Sequence, residues 1–520
     1  MGVHINPGND GFARVLKERY VDKTGIIGLV NDVIDTTRCM VCVSRPRRFG
    51  KSFAAKAVAA YYCWGCDSRA LFERLEVSRH PSFEEHLNAY NVIQLDMTEF
   101  TGLVGSEVVP EVSRLLAREL RSEFPEVQEG GSLTEMLLDT VKLTGRKFVF
   151  VIDEWDAVFR ETEHEAAAQE RYVKFLRLLF KNLSFTDKAV AAAYITGILP
   201  IKRYGTQSAL TDFEEFTMVD PSYYAPYVGF TESEVKQLAD ECDIEMNVLR
   251  RWYDGYEFPR TGHVYAPFSV MRACMRRQVG AYWTSSETFE LLRTYIDLDF
   301  EGLQGDIVRA VGGEALKVDP YTFQNDMASI NSRDDVLTLL VHLGYLAYDN
   351  ETRLARVPNE EVREEFERAL KGSRHAEVAR IVRESDQLLA AILSGDAAAV
   401  ADSIGRSHDA TCSPIHYNGE QSLRSVVRAA LISAADDYVR VEELPSGHGL
   451  ADIVYLPRRG SDKPALLVEL KWDKPVESAI DQIHARDYPA ILRDLDMPIL
   501  LVGVAYDADT KEHSCIIERA

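Results

Sequence analysis

Four short apolar runs between about residues 38 and 220 restrict the possible folds of this chain more than any other feature of its sequence. Each run is continuously apolar rather than alternating, which is typical of strands covered on both faces. Helix-forming stretches separate the runs, and a β-α-β-α-β order predicts a mostly parallel sheet with helices on both sides. In order, the runs are MVCVS, VIQLDM, FVFVID and VAAAYITG. We therefore predict an α/β fold for this part of the chain.

The first apolar run leads directly into the sequence SRPRRFGKS, residues 44–52. A phosphate-binding loop usually ends in this way, with Gly-Lys-Ser followed by a helix. In such a loop Gly50 permits close backbone approach, Lys51 holds the phosphates and Ser52 ligates Mg²⁺. The glycine that usually opens the loop is replaced here by Arg45. The motif alone therefore fits either a nucleotide site or a basic turn.

A second motif favours the nucleotide site. The run FVFVID ends at Asp153, and Glu154 follows it. ATP hydrolysis requires such a strand end, with Asp153 holding the water shell of Mg²⁺ and Glu154 orienting the attacking water. The same pattern also fits a strand followed by a helix that Asp156 caps. The fourth run ends near Thr196, our candidate γ-phosphate sensor, although a threonine at a strand end is also an ordinary turn residue.

Basic residues surround the predicted nucleotide site. Arg45, Arg47 and Arg48 take the place of a Gly-rich entrance. We expect at least one of them to contact phosphate, either in this chain or on the nucleotide of a neighbouring subunit, because a guanidinium binds phosphate bidentately. Lys202 and Arg203 follow the fourth run, where they either stabilise phosphate charge or are simply solvated.

Five motifs together resemble one known family. They are YVDKT (20–24), RPRRFGKS (45–52), VIDEWDAVF (151–159), ITGILPI (195–201) and YAPFSV (265–270). This set is similar to the AAA-ATPase-like domain that precedes a PD-(D/E)XK nuclease domain, and in that family the phosphate loop characteristically reads RPRRFGKS. The resemblance implies that ATP is the ligand and that the missing glycine is the family's own pattern. Trp155 stands where the family commonly has Tyr, and Ala266 where Asn is commoner.

The C-terminal part of the chain carries a second group of chemically active residues. Asp452 begins one apolar strand candidate, and Glu469 and Lys471 lie on the next, where positions i and i+2 share a face. If the strands are neighbours, Asp452 and Glu469 converge on one Mg²⁺ beside Lys471, which is the chemistry of metal-dependent phosphodiester hydrolysis. Glu420, in the preceding helix candidate, is able to add a ligand. The pattern alone also fits a surface-charged hairpin.

The resemblance to a PD-(D/E)XK domain favours the nuclease interpretation of this region. It also indicates Gln482 and Tyr488, which lie in DQIHARDY, where that family often carries a Gln and Tyr pair on a helix. The residues that match the nuclease motif are Glu420, Asp452, Glu469 and Lys471.

The length of the chain predicts several domains, because 520 residues are too many for one core. We predict a P-loop AAA-like ATPase domain over 1–225, a mainly helical lid or linker over 226–400, and an α/β restriction-endonuclease-like PD-(D/E)XK domain over 401–520. No apolar run approaches the roughly 18 residues that span a membrane, and the first residues lack a signal pattern. We therefore expect a cytoplasmic protein.

The charge and the cysteines limit the expected partners. A net charge of −23 gives no basic surface for broad nucleic-acid coating, although it does not exclude a carboxylate-based nuclease. Cys39 and Cys42 form one C-x-x-C pair, and Cys63 and Cys66 form another, which imitates a zinc ribbon. Because CMVCVS predicts a strand that points its two cysteines to opposite faces, we favour reduced thiols over zinc.

Two functions follow from these patterns. The first is an ATP-dependent or ATP-gated nuclease that uses Mg²⁺, or Mn²⁺ at the cutting site, with DNA favoured over RNA as substrate. A homo-oligomer would be required for translocation, since each chain has one phosphate loop. The alternative is a non-cutting ATP switch or scaffold that retains a nuclease fold, which the negative charge favours and the intact carboxylates oppose.

Overall fold

The computed structural model of the protein forms two compact units. The first consists of Met1–Trp283 and Lys317–Asn359, and the second of Thr284–Leu316 and Glu360–Ala520. The three-domain division, with boundaries at 225 and 400, remains a prediction. The structure describes residues 2–104, 107–127, 131–161, 166–201, 203–204, 207–208, 210–283, 302–325, 330–372, 376–411, 419–446, 449–458, 461, 463–486 and 497–520.

The strands are labelled here in chain order. They are β1 Met40–Ser44, β2 Asn91–Asp96, β3 Phe148–Asp153, β4 Val190–Gly197, β5 Arg203–Tyr204, β6 Gln207–Ser208, β7 Glu214–Phe216, β8 Phe230–Thr231, β9 Tyr256–Phe258, β10 Gly262–Tyr265, β11 Leu316–Lys317, β12 Ala347–Asp349, β13 Leu354–Arg356, β14 Tyr438–Ser446, β15 Gly449–Pro457, β16 Ala465–Trp472, β17 Ile499–Asp507 and β18 Glu512–Arg519.

A parallel sheet of order β2-β3-β4-β1-β7 lies at the centre of the first unit. Every neighbouring pair in it runs parallel, which confirms the α/β prediction. The four apolar runs of the sequence form β1 to β4, and every residue of β1, β3 and β4 is buried. These strands do not alternate in polarity because helices cover both faces of the sheet. Strand β4 lies between β1 and β3, so it separates the two predicted nucleotide motifs.

Helices surround this sheet and fill the rest of the first unit. The helix that follows β1 contacts β2, β3 and β4. The helices of the first unit are Asp10–Val15, Gly25–Asn31, Lys51–Tyr62, Arg69–Phe72, Phe83–His86, Met97–Val104, Val108–Glu123, Leu133–Thr144, Ala157–Glu161, Ala166–Phe180, Leu183–Ala189, Glu232–Cys242, Met246–Tyr253, Pro267–Arg276 and Arg333–Leu343.

The predicted helical middle region contains more strand than the sequence suggested. Helices are present, but β9 and β10 form a hairpin that β8 extends, and β12 pairs with β13. All of these pairs are antiparallel and only two to four residues long. Strands this short carry too little period-two pattern to be recognised in a sequence. Among the described residues, no helix is both long enough and apolar enough to cross a membrane.

The second unit contains a mixed sheet of order β14-β15-β16-β17-β18. Its strands pair antiparallel except for β16 and β17, which run parallel. Alternate residues of the strands pack into two hydrophobic cores. One core includes Leu423 and Val427, and the other includes Ile480 and Ile483. The helices of this unit are Leu303–Val311, Glu360–Gly372, Ala376–Ser394, Ala397–Thr411, Glu420–Ala430 and Glu477–Ala485.

Candidate functional site

The turn after β1 has the backbone of a phosphate-binding loop. Gly50 caps the helix Lys51–Tyr62 with a φ of 90°, a conformation that residues with a side chain rarely adopt. The first backbone N–H groups of this helix have no partner within the helix, so they and the positive end of its dipole favour a bound phosphate. The loop therefore has an end that can bind an anion, although an arginine replaces the glycine that usually opens such a loop.

Lys51 connects the loop to the strand end that carries the acidic motif. Its side chain is buried, with an exposed fraction of 4%. The Nζ atom donates a hydrogen bond to the carbonyl oxygen of Pro46 at 3.0 Å and lies 3.4 Å from Oε1 of Glu154. The structure thus brings together two predicted catalytic groups that lie far apart in the sequence.

The two carboxylates after β3 have different electrostatic environments. Burial raises the pKa of Asp153 to about 6, against a hydrogen bond from Ser52 that lowers it. Burial would also raise the pKa of Glu154, but the charges of Lys51, Arg160 and Arg47 outweigh burial and lower it. Glu154 therefore stays ionised, and Asp153 lies within reach of the Ser52 side chain.

Arg160 and Asp156 complete this site, and the sequence analysis did not assign them these roles. Arg160 donates to Oε2 of Glu154 at 2.6 Å and to Oδ2 of Asp156 at 3.0 Å. The Asp156 carboxylate also accepts hydrogen bonds from the backbone N–H groups of Ile198 and Leu199. Asp156 thus joins the ends of β3 and β4, which is a larger role than the helix cap considered above. The i,i+4 spacing of Asp156 and Arg160 is the signal that could have indicated their pairing.

Removal of the Asp156 carboxylate is expected to destabilise the first unit strongly. Asp156 is fully buried, and Asp156→Ala removes one of the two carboxylate partners of Arg160 and the acceptor of two backbone N–H groups. Loss of one partner of a buried ion pair typically costs about 3–5 kcal/mol, so we expect a decrease of that size in the free energy of unfolding, measured with urea. Asp187→Ala, which removes an exposed carboxylate, should change it by less than about 0.5 kcal/mol. Equal stability of the two variants would contradict the conclusion that the Asp156 carboxylate stabilises the connection between the ends of β3 and β4.

The arginines of the loop occupy very different environments. Arg45 is fully buried and donates from Nη1 to the carbonyl oxygens of Ser44 and Phe216, while burial lowers its pKa to about 10. Its guanidinium thus attaches the loop to β7. Arg48 lies over the ring of Phe268, 4.2 Å from its centroid. Its Nη1 donates a hydrogen bond to the backbone carbonyl oxygen of Tyr282 at 2.9 Å. Phosphate contact by either arginine remains a prediction.

Thr196 does not present its hydroxyl to the loop. The residue is fully buried, and its Oγ1 donates to the carbonyl oxygen of Val43 in β1 at 2.9 Å. This bond stabilises the pairing of β1 and β4, so a role as a phosphate sensor would require the hydroxyl to exchange partners. Lys202 lies outside the described residues, and of Arg203 the structure describes the backbone alone.

The second predicted site is assembled in the C-terminal unit. In the antiparallel pair β15–β16, Ile453 is opposite Val468, which places the next residues, Asp452 and Glu469, side by side. Nζ of Lys471 lies 2.8 Å from Oε1 of Glu469, as the i,i+2 spacing predicts. All three side chains are buried, so the structure does not form the surface-charged hairpin that was considered as an alternative.

The charges of this site are closely coupled. The pKa of Glu469 is raised to about 7, mainly by burial and then by the neighbouring Asp452 charge, while Lys471 acts in the opposite direction. Gln482 donates to Oε1 of Glu469. The other oxygen, Oε2, is buried, and no described residue forms a hydrogen bond with it. This oxygen is therefore available to a hard cation.

A helix before the sheet contributes a residue that the sequence analysis missed. Arg424 is buried and forms an ion pair with Oδ1 of Asp452, whose other oxygen accepts the backbone N–H of Leu470 at 2.8 Å. Glu420 begins the same helix with an exposed side chain. Its position as a metal ligand remains a prediction. Tyr488 lies outside the described residues.

The described residues do not form a preassembled metal cluster. In the described part of the chain, no group of three or more His, Cys, Asp or Glu side chains is arranged to hold a metal ion. The cysteines of the two C-x-x-C pairs form no disulfide bonds in the described part of the chain. At the second site, the carboxylates of Asp452 and Glu469 supply oxygen donors of the kind that Mg²⁺ prefers.

The parallel sheet, the phosphate loop and the acidic strand end make the first unit similar to P-loop ATPases. Residues 8–206 match the sequence model of a family described as predicted AAA-ATPase. Over 526 residues the chain is 26% identical to a protein described as an uncharacterized protein in the vnfD 5' region of Azotobacter chroococcum mcd 1, and the match covers 95% of this chain and 93% of that protein.

Two solved structures are similar to part of the chain. A Walker-type ATPase of Pyrococcus abyssi is 14% identical, with a TM-score of 0.34, and the match covers 66% of this chain and 96% of that one. The ORC2 protein of Aeropyrum pernix, in its ADPNP-ADP complexes, is 11% identical, with a TM-score of 0.32, covering 68% of this chain and 97% of that one. Because both TM-scores are low, these two structures carry no argument. The similarity of the first unit to P-loop ATPases rests on the family match and on the geometry of the site.

Proposed function

We propose that the protein binds and hydrolyses ATP in its first unit and cleaves phosphodiester bonds of nucleic acid in its second, with ATP controlling the cleavage. The family match at residues 8–206 supports the ATPase half. The observation that carries the nuclease half is the buried group of Asp452, Glu469 and Lys471 on adjacent strands. The substrate class is nucleic acid, with DNA favoured over RNA.

In the first unit, each residue contributes to a separate step. The N-terminus of the helix Lys51–Tyr62 holds the phosphates through backbone N–H groups, and Lys51 neutralises their charge. Ser52 and Asp153 would hold Mg²⁺, which neutralises charge developing on the transferred phosphoryl group. Glu154 stays ionised and orients the attacking water. Its ion pair with Arg160 fixes the direction of the carboxylate before nucleotide binds.

In the second unit, the charged groups prepare a water molecule and hold the phosphate. Asp452 and Glu469, with Glu420 as a further candidate, would hold a Mg²⁺ or Mn²⁺ ion, which lowers the pKa of a bound water and polarises the phosphate. Lys471 places a cation next to Glu469 and stabilises negative charge on the phosphate in the transition state. Gln482 fixes the orientation of the Glu469 carboxylate, which leaves Oε2 for the ion.

A non-cutting switch is the second candidate, and one observation favours it. Both carboxylates already have cationic partners, since Asp452 pairs with Arg424 and Glu469 pairs with Lys471. Such pairs are also a way to stabilise a buried site that binds no metal. Under this interpretation the second unit is a scaffold, and ATP hydrolysis alone is the activity of the protein.

A supercoiled-plasmid nicking assay distinguishes the two candidates. Purified protein is incubated with plasmid DNA, and in parallel with single-stranded DNA and RNA, with Mg²⁺ or Mn²⁺ and with or without ATP. The proposal expects metal-dependent nicking or cleavage whose rate changes when ATP is added. A preparation that hydrolyses ATP but leaves every substrate intact would establish the switch and reject the nuclease.

A further inference from the structure

The sequence Cys-Trp-Gly-Cys lies at the end of the helix Lys51–Tyr62 that is opposite Lys51. Cys63 is the first residue after this helix, about 18 Å along the axis from its start at ~1.5 Å per residue. Gly65 has a φ of 90°, which turns the chain tightly and returns Cys66 toward Cys63. The nucleotide chemistry described above therefore does not use these two thiols.

The two thiols contact each other but differ in exposure. The Sγ atom of Cys66 donates a hydrogen bond to the carbonyl oxygen of Cys63 at 3.4 Å, and the two thiols are close enough for each to shift the pKa of the other. Cys63 is fully buried, whereas Cys66 is partly exposed. A pair of this kind combines a sulfur that reagents in solution can reach with a second sulfur that they cannot reach.

Several donors stabilise negative charge on the exposed sulfur. Besides the Cys63 thiol, Nδ2 of Asn88 donates to Cys66 Sγ at 3.6 Å, and Oγ of Ser68 lies 3.6 Å from it. The hydrogen bond from Cys63, opposed by burial, lowers the pKa of Cys66. The backbone N–H of Gly8 donates to Cys63 Sγ at 3.3 Å and thereby holds the second sulfur in place. A thiolate is the nucleophile in thiol–disulfide exchange.

We propose that Cys63 and Cys66 form a redox-active dithiol whose substrate is a small-molecule disulfide of the glutathione type. The Cys66 thiolate attacks one sulfur of the disulfide, forms a mixed disulfide and releases one thiolate. Cys63 then loses its proton and attacks Cys66 Sγ, which forms the Cys63–Cys66 disulfide and releases the second thiolate. In total, the protein loses two electrons and two protons, and one small disulfide becomes two thiols.

Other cysteines of the chain provide matched comparisons. The thiols of Cys242 and Cys274 also interact with each other, but both residues are buried, so this pair has no sulfur that a reagent can reach. Cys515 is partly exposed on β18, and burial raises its pKa to about 12. Only the pair in Cys-Trp-Gly-Cys, among the described cysteines, combines contact between two thiols with access to one of them.

The test uses the full-length reduced protein, equilibrated at pH 7 with mixtures of reduced and oxidised glutathione. The reaction is stopped with acid, free thiols are alkylated and the peptides are identified by mass spectrometry. We expect a Cys63–Cys66 disulfide in the wild type, glutathione trapped on Cys66 in Cys63→Ala, and no adduct on Cys63 in Cys66→Ser. Cys274→Ser should behave as the wild type. In the reduced wild type, iodoacetamide should modify Cys66 at least about tenfold faster than Cys515.

The proposal is overturned if the folded wild type keeps both thiols at every glutathione ratio, or if Cys66 reacts no faster than Cys515. Thermal unfolding of each variant shows whether it is folded, and the rate comparison within the wild type needs no variant. None of these measurements depends on ATP or on nucleic acid, so their outcome is independent of the function proposed above.

Discussion

Lys51→Ala is expected to abolish ATP binding, whereas Glu154→Gln should bind ATP normally and fail to hydrolyse it. Lys51 is buried at the start of the phosphate-loop helix, and its loss removes the cation that neutralises the phosphates. We expect affinity to fall at least about 100-fold, or ~3 kcal/mol, in a calorimetric titration. Gln keeps the shape of Glu154 but loses the charge that orients water, so the hydrolysis rate should fall about 10²- to 10⁴-fold.

Lys56→Ala is the matched control for this pair of variants. Lys56 lies five positions further along the same helix and is half-buried, so its loss changes the net charge equally without affecting the loop. It should bind and hydrolyse ATP as the wild type does. Equal affinity for ATP in the wild type and in Lys51→Ala would show that the loop is a basic turn and would remove the basis of the ATPase proposal.

Asp452→Asn, Glu469→Gln and Lys471→Ala are each expected to abolish nucleic-acid cleavage without changing ATP hydrolysis. The first two remove charges that hold the ion, and the third removes the cation that stabilises the phosphate. EDTA should have the same effect on the wild type. Ca²⁺ should bind but support little cleavage, because its flexible coordination positions the water poorly. Cleavage is measured by plasmid nicking, and ATP hydrolysis by phosphate release from the same samples.

The exposed carboxylate of Glu512 on β18 provides the control for the second site, since Glu512→Gln should cut normally. Asp452→Asn also weakens a buried ion pair with Arg424, so its thermal unfolding must be compared with that of Glu469→Gln. Undiminished cutting by all three site variants would assign the activity to other residues or to a contaminant.

The sequence was sufficient to predict the strands that carry the first site. The runs that form β1 to β4 are continuous and apolar because both of their faces are covered, and that property is visible without a structure. The order of the strands was not predictable in the same way, since it depends on contacts between distant segments. The three-residue β7, which completes the sheet beside β1, is too short to show any periodicity.

Most of the ion-pair partners of the candidate site residues also could not be predicted from the sequence. Arg160 and Arg424 lie in helical stretches where a charged residue normally faces solvent. Only the folded chain shows that Arg424 is turned toward Asp452 and that Arg160 reaches Glu154 besides Asp156, its i,i+4 partner. Arg45 shows the same limit, because only the structure reveals that its guanidinium is buried and donates to the carbonyl oxygen of Phe216 in β7. Spacing predicts which side chains share a face, as with Glu469 and Lys471, but not which distant group lies opposite.

The Asp156 carboxylate that joins two strand ends also has a consequence for local unfolding. Ile198 and Leu199 lie beyond the last residue of β4, so the sheet itself gives their amide hydrogens no protection. Since both amides donate to Asp156, they can exchange with deuterium only when this carboxylate moves away. In a hydrogen-exchange measurement they should therefore exchange as slowly as residues inside β4, and β3 and β4 should open as one cooperative unit rather than fray separately.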